Sequence, residues 1–502
     1  MVHSYAAVDL GASSGRVIAG HLDRGRLVVE ETSRFTNAPV WVLEGARQVL
    51  QTDILALWSG IRAGLRAAAR TRVPISIGVD SWGVDHGLLD ADGALLGNPV
   101  HYRDERTTGV PEQVFAEITP AGHYAATGAQ VQPFNTVFQL VAASTTCRLA
   151  TAERMLLLPD LIGYWLTGEQ VTEVTNASTT GMLDPATRTW SRPVIAAASR
   201  AAGLDLGTLL APLVEPGAVI GAVRHDVASD LGLRGAHLVA VGSHDTASAV
   251  VAVPMTDPNR AVYISSGTWS LVGLELDAPL RTEDSRAANV TNELGVAGTV
   301  RYLRNVAGLW LLQESLRTWA DRGRPQDHET LLAAAADVPG LRTVVDADDP
   351  VFASPGDMPA RIAEAAAASG QPVPEDPATT TRCILDSLAL AYRRAIEQVA
   401  TSSGRTIDVV HVVGGGSRNT LLCQLTADAT GLPVIAGPIE GTAIGNLLVQ
   451  AWAAGELPGG LAQIREVVAA STDLTRWEPT GSDRAWDQAA TRLPAGAALN
   501  EG

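Results

Sequence analysis

Lysine is absent from the 502-residue sequence, and all 37 basic side chains are arginine. Without it there is no GxxxxGK[ST] phosphate loop, no protein-kinase strand lysine and no lysine for a Schiff base. Any phosphoryl chemistry must then rest on backbone N–H groups, hydroxyls, arginine and a metal. Cysteine is scarce as well: Cys147, Cys383 and Cys423 are widely spaced and odd in number, which argues against a disulfide framework or a zinc site and predicts buried reduced thiols. No run of about 18 uncharged apolar residues occurs, and the first twenty residues carry Asp9 and no basic leader. The expectation is a soluble, cytoplasmic chain with no membrane partner. Acidic residues outnumber basic ones, 54 to 37, for a formal charge of −17, and no basic patch is segregated to attract nucleic acid.

What is present is enough apolar sequence, 46%, for large cores. Single cores stop growing at roughly 250 to 300 residues, so two domains are expected. Apolar runs predict strands at 6–8, 16–22, 75–79, 87–89, 237–241, 261–264, 270–276 and 407–413. Helical spacing aligns Ile54, Leu57, Trp58, Ile61 and Leu65 within 53–70, and Ile384, Leu388, Tyr392, Ile396 and Val399 within 382–400. Alternating strands and helices give an α/β class with mixed sheets. "AAVDLGASSGRVIAG" (6–20) is echoed by "AVYISSGTWSLVG" (261–273), each a strand, a small-residue turn and a second strand. Setting Gly15 on Gly267 gives an offset of 252 residues, about half the chain, as a duplicated unit would. "VPMTDPNR" (253–260) supplies a Pro-bearing joint between domains 1–250 and 251–502, which are expected to close on their ligands. The Pro-rich stretches 346–359 and 369–380 read as surface insertions.

The motifs that can carry chemistry follow from this frame. Glycine- and serine-rich turns let N–H groups and hydroxyls approach phosphate oxygens. Asp9 beside such a turn would repel phosphate alone, but not through Mg²⁺ held directly or by water. A tight hairpin with incidental polar residues is the alternative for one turn; the pairing of two favours phosphate. "VGGGSRNTLLCQLTADATG" (413–431) sets glycines between a strand and a helix, as adenine-nucleotide sites do, yet Asn419 stands where the dinucleotide fingerprint needs glycine, and a glycine-rich strand-to-helix loop is an equal alternative. In "VGSHDTASAV" (241–250), Asp245 is either a helix cap or a catalytic base. "GVDSWGVDHGLLD" (78–90) combines Asp80, Trp82, Gly83 and Asp85; the Trp is a core residue or a floor for a sugar ring. "YRDERT" (102–107) reads as a surface charge cluster.

Together these segments, with "PVHYRDERTTG", "RNVAGLWLLQE", "SPGDMPARI", "CILDSLALAYR" and "EGTAIGNLLVQA", resemble the FGGY carbohydrate kinases of the actin-like ATPase fold over nearly the whole chain. The resemblance implies two ribonuclease H-like domains with mixed sheets flanked by helices and a central cleft, the first binding sugar and the second nucleotide. It implies Gly83, His244, Asp245, Thr246 and Asn305 around the sugar, with Asp245 as the base. It implies Ala12, Ser13, Ser14, Gly15, Arg16, Thr268, Gln313 and Gly415 on ATP, and Asp9 with Mg²⁺. Ser417 stands where relatives often carry cysteine, so no redox feature is carried over. The resemblance, carried within the family by "VDSWGVD", "HDTASAV" and "TAIGN", implies transfer of the ATP γ-phosphate to O1 of L-rhamnulose, and the chain is expected to be a monomer or homodimer. Other ketoses or polyols, such as L-fuculose and L-xylulose, and a non-catalytic sugar or nucleotide sensor are the alternatives.

Overall fold

The computed structural model describes residues 2–481 and 483–493, which form two compact units. The first comprises Met1–Pro254, Leu276–Tyr302 and Gly441–Ser471, and the second Met255–Glu275, Leu303–Glu440 and Thr472–Gly502. The units therefore differ from the two halves of the sequence, since 276–302 and 441–471 pack into the first.

The first unit is built on β1 (Tyr5–Leu10), β2 (Ser14–Asp23), β3 (Arg26–Thr36), β4 (Ser76–Ser81), β5 (Val219–Ala222) and β6 (His237–Val239), in the order β5-β6-β4-β1-β2-β3. β1 and β2 are an antiparallel hairpin, whereas β1, β4 and β6 run parallel, so their carboxyl ends share one edge. β1 is buried along its whole length, which is why it reads as a continuous apolar run broken only by Asp9. One face is covered by the Ile54–Thr71 helix, whose Asp53 cap accepts the Ala56 N–H and whose Ile54, Leu57, Ile61 and Leu65 are buried. Each such side chain contributes about 1.5–3 kcal/mol by leaving water. Trp58 is only partly buried and packs on Trp165 at a ring-centroid distance of 5.4 Å. Close approach is set by Gly64, where a Cβ would lie 2.5 Å from Val17, so a larger residue there would lift the helix off the sheet. The other face meets the Gly441–Ala453 helix; the Gly445 of "TAIGN" lets it approach the Asp245–Val251 helix, a Cβ falling 1.8 Å from the Ser248 carbonyl oxygen.

The second unit repeats this plan. Its sheet contains β7 (Ala261–Ser266), β8 (Trp269–Leu276), β9 (Val300–Ala307, entering from the first unit), β10 (Val409–Val413), β11 (Val434–Ala436) and β12 (Thr475–Trp477), in the order β9-β8-β7-β10-β11-β12. Again the central pair β7–β8 is antiparallel, β7, β10 and β11 are parallel, and the edge strand β12 is antiparallel. The sequence echo is real but its register is not Gly15 on Gly267. Gly15 lies on β2 and Gly267 lies in the turn, so the strand ends equate Leu10 with Ser266 and Asp9 with Ser265. Shared small residues had pulled the alignment across turns of unequal length.

Three further expectations change. The 346–359 stretch is no mere surface insertion: Phe352 and Met358 are buried, Trp310 donates to the Phe352 carbonyl at 3.0 Å, and Gly356 N–H to Glu314 at 2.6 Å. Asp104 of "YRDERT" is buried, accepting from Arg47 at 2.5 Å and from Leu50 N–H at 2.9 Å, because a carboxylate leaving water must find donors. Cys383 and Cys423 are buried and free, and burial pushes both thiols up to about 12, but Cys147 is exposed.

Candidate active site

The carboxyl ends of β1, β4 and β6 carry the first unit's polar groups. Asp9 on β1 is in register with Arg16 across the hairpin and with Asp80 on β4. Arg16 donates from Nε (2.9 Å) and lies 2.7 Å from the same Asp9 Oδ2 through Nη2. Asp80 is fully buried; its Oδ2 accepts from Asn446 Nδ2 at 2.5 Å, and its Oδ1 has no hydrogen-bond partner among the described residues. Asn446 Oδ1 in turn accepts from Gln450, and Gln450 Oε1 accepts from Ser76, both at 2.7 Å. Burial first, then the negative charge of Asp9, pushes the Asp80 carboxyl well above the carboxylate range, with Asn446 opposing and Asp245 adding to the rise.

The segment after β6 brings the next group. Ser81 N–H donates to the Ser243 carbonyl at 2.9 Å, seating 243–246 beside the end of β4. Glu173 holds this segment by accepting from Ser243 N–H (3.1 Å) and Oγ (2.7 Å). His244 is the N-cap of the Asp245–Val251 helix, so Asp245 is its first residue and not its cap. Asp245 Oδ1 accepts from Thr246 N–H at 2.5 Å and Thr246 Oγ1 at 3.1 Å, and His244 Nε2 lies 3.5 Å from it. Its side chain remains 29% exposed. Burial raises this carboxyl, His244 opposes the rise and Asp9 adds to it, so the Asp9 charge is felt at both other aspartates. Gly83 sits in the loop after β4, where a Cβ would lie 2.8 Å from Thr179 Oγ1, the group that accepts Val84 N–H at 3.2 Å. Trp82 beside it is a core residue and no exposed floor: it is buried among apolar neighbours and its indole N–H donates to Asp85 at 2.9 Å.

The two turns share one construction. In the first, Gly11 N–H donates to the Ser14 carbonyl (3.0 Å), while Asn37 donates to the carbonyls of Ser13 (N–H, 3.1 Å) and Gly11 (Nδ2, 2.8 Å). The N–H groups of Ala12 and Ser13 have no partner among the described residues, and Gly15 is packed against Phe35. In the second, Gly267 N–H donates to the Trp269 carbonyl (2.8 Å), and Leu309 and Trp310 N–H groups pin the carbonyls of Gly267 (2.9 Å) and Thr268 (3.2 Å). Thr268 Oγ1 donates to Gln313 at 3.1 Å, so these two predicted residues meet. Gly414 has φ +84° and Gly416 lies against Ser266, but a Cβ on Gly415 would meet nothing within 4 Å. Asn305 is half-buried on β9. Asp9, Gly83, His244, Asp245 and Thr246 thus lie along one edge of the first unit's sheet, while Asn305, Thr268, Gln313 and Gly415 belong to the second unit.

Residues 4–252 match the N-terminal domain, and residues 262–454 the C-terminal domain, of the FGGY family of carbohydrate kinases. The chain belongs to this family. It is 42% identical over 492 residues to a rhamnulokinase of Bacteroides thetaiotaomicron, covering 97% of this chain and 98% of that protein. A rhamnulokinase of Enterococcus faecalis is 39% identical over 481 residues, covering 95% and 93%. A solved gluconate kinase from Lactobacillus acidophilus shares the fold at a TM-score of 0.77 and 15% identity, covering 98% of this chain and 96% of that one. This FGGY kinase is therefore an ATP-dependent carbohydrate kinase of actin-like ATPase fold. Among the described residues no helix is long and apolar enough to cross a membrane, and no three His, Cys, Asp or Glu side chains group to hold a metal.

Sequence reading of this FGGY kinase missed Glu173 and the part played by Asn446. Glu173 had a local signal, since "TEVTN" places an acid ahead of the hydroxyl and N–H groups it accepts from. The partnership of Asn446 with Asp80, 366 residues apart, had none.

Proposed function

We propose that the chain transfers the γ-phosphoryl group of ATP to O1 of L-rhamnulose, giving L-rhamnulose 1-phosphate and ADP in L-rhamnose catabolism. The names of its two curated relatives, each aligned over more than nine-tenths of this chain, support the acceptor. Asp245 carries the chemistry: its Oδ1 is tied to Thr246, leaving Oδ2 on a part-exposed side chain to receive the O1 proton. As the O1–Pγ bond forms, the bond from Pγ to the β-phosphate oxygen breaks, ADP leaves with the electron pair, and the proton rests on Asp245. Gly83, His244, Thr246 and Asn305 hold the sugar.

The N–H groups of the 12–15 turn, with Arg16, face phosphate oxygens; Thr268 and Gln313 hold the nucleotide, and Gly415 leaves room for its flat base and ribose. Magnesium, when bound with ATP, supplies neutralising charge to the phosphates. The donor set fits it: Asp9 offers one carboxylate, enough for an ion that keeps its waters and phosphate ligands, and the unpartnered Oδ1 of buried Asp80 lies on the neighbouring strand. The test is an ADP-release assay over ketoses, aldoses and glycerol, with the product phosphate located by NMR. L-Rhamnulose should give the highest kcat/KM, with L-fuculose and L-xylulose detectable, because placing one methyl group is worth only about 1–3 kcal/mol. A higher kcat/KM for glycerol, D-xylulose or gluconate would overturn the acceptor.

A further inference from the structure

Behind His244 lies an ion pair that the reaction scheme leaves unused. Glu293, on the short strand Thr291–Leu294, and Arg301, on β9, belong to the same unit as His244 and Asp245. Arg301 is 0% exposed and among the largest fully buried side chains. Its Nη1 lies 3.0 Å from Glu293 Oε2, its Nε donates to the Leu294 carbonyl at 3.1 Å, and its Nη2 lies 3.2 Å from His244 Nδ1. Glu293 Oε2 is also 3.2 Å from that nitrogen. Burying an arginine and a glutamate takes two charges out of water, an arrangement apolar residues of similar volume often match or exceed in stability. The pair therefore needs another reason, and both members converge on one ring nitrogen.

We infer that Glu293 and Arg301 are positioning residues that fix the His244 ring so that an N–H at Nε2 faces Asp245 Oδ1, reserving Asp245 Oδ2 for the acceptor proton. The inference rests on Asp245 being the base. An arginine can only donate, so opposite Arg301 the Nδ1 accepts and the ring hydrogen sits on Nε2, while Glu293 holds the guanidinium in place. That places a donor at Nε2, 3.5 Å from Oδ1. Together with the two Thr246 donors it makes Oδ1 the anchored oxygen. Burial alone would raise the Glu293 carboxyl, but Arg301 and His244 more than offset this and hold it below the ordinary range.

The experiment compares four proteins: the unsubstituted chain, Asp245→Asn, Glu293→Gln/Arg301→Gln, and the triple variant. The Gln pair removes both buried charges together, because Glu293→Gln alone would strand Arg301 and could fail to fold. With a thermal melt matching the unsubstituted chain, kcat of the Gln pair should fall about 10- to 100-fold, as when the partner orienting a functional imidazole is lost, with KM for ATP unchanged. In the Asp245→Asn background the same pair should change residual turnover less than about twofold, since it acts through Asp245. An equal fractional loss in both backgrounds would mean a structural role only and would overturn the inference. So would a folded Gln pair with kcat within twofold of the unsubstituted chain while Asp245→Asn is impaired. Near-normal turnover of Asp245→Asn itself would instead remove the reading of the base on which this rests.

Discussion

The β1–β2 turn and the β7–β8 turn are built alike, but one carries charge and the other is neutral. Each is a hairpin at the end of a central strand, and in each the turn carbonyls are pinned by residues that follow the neighbouring outer strand: Asn37 after β3, and Leu309 and Trp310 after β9. Pinning the carbonyls turns the N–H side of the loop outward, which is what an anion requires. At the penultimate strand position, however, the first copy has Asp9 beside Asp80, and the second has Ser265 beside Val413. The first copy therefore concentrates carboxylates, with Arg16 as their local counter-charge, and the second offers hydroxyls, an amide and bare backbone. The two hairpins share their geometry and differ in their charge. The division expected of variants follows: removing charge from the first unit should act on kcat, and removing polar groups from the second should act on KM for ATP.

The largest effect is expected at Asp245. Asp245→Asn keeps its size and removes its basicity, so kcat should fall by about 10²- to 10⁴-fold with sugar binding nearly retained. With Asp245 as the proposed base, only its ionised form would be productive, and burial raises its carboxyl. The acid limb of kcat/KM should therefore lie above the ordinary carboxylate range near pH 4, activity falling as pH drops through it. A steady-state pH profile in which activity persists unchanged to pH 4 would break the first half of the comparison.

Next in size is Asp9→Asn. Arg16 would lose its carboxylate partner, and the edge shared with Asp80 would lose its neighbouring negative charge. Turnover should drop about 10- to 100-fold, and the magnesium concentration giving half-maximal rate should rise, while nucleotide affinity measured without metal stays within a few-fold. Superimposable magnesium titrations of the two proteins would show that Asp9 is only the structural partner of Arg16.

How much of this was legible in the sequence depends on whether the signal was local. β1 and the 54–71 helix were readable because burial imposes period and run length on neighbouring residues. β3 was not, because Val28, Val29 and Glu30 are all exposed and no alternation marks a core face. Asp9 and Asp245 stood out as acids at strand ends; the phosphate-type turn suggested magnesium for Asp9, and only the family resemblance favoured a base over a helix cap for Asp245. Asp80 was visible in "GVDSWGVD", but its burial and the bond its Oδ2 accepts from Asn446, in a helix 366 positions away, were not. Arg301 and Glu293 left no trace, since an arginine in a strand reads as a solvated edge residue until its burial is known. The turn register failed for the opposite reason: Ser and Gly recur in both hairpins, and composition without strand pairing aligned the wrong residues.

In the second unit the expected effects are smaller and fall on KM. Thr268→Ala removes the hydroxyl that donates to Gln313 at 3.1 Å, leaving Gln313 exposed and free to rehydrate. The loss of one hydrogen-bonding group, about 0.5–1.5 kcal/mol, should raise KM for ATP by roughly two- to tenfold with kcat little changed. A fall in kcat at constant KM would place Thr268 with the first unit's chemistry and break the division.

The smallest effect comes from one methyl group, and the glycine run supplies its own control. At Gly416 a Cβ would lie 2.0 Å from Ser266 Oγ and 2.5 Å from its Cβ, so Gly416→Ala must displace β7 or its own loop and should lower the melting temperature. At Gly415 a Cβ meets nothing within 4 Å and the residue is not among those with positive φ, so alanine is neither crowded nor strained there. Gly415→Ala should therefore leave the melting temperature unchanged or raise it slightly, by restricting the unfolded chain by about 0.4–1 kcal/mol. If the open space over Gly415 is where the nucleotide's base and ribose lie, the same methyl should raise KM for ATP by about two- to fivefold, a cost near 1 kcal/mol or less. Isothermal titration with a non-hydrolysable ATP analogue reads that change directly. Unaltered nucleotide affinity in a Gly415→Ala protein of unaltered stability would mean that the bare backbone at 415 serves the fold alone.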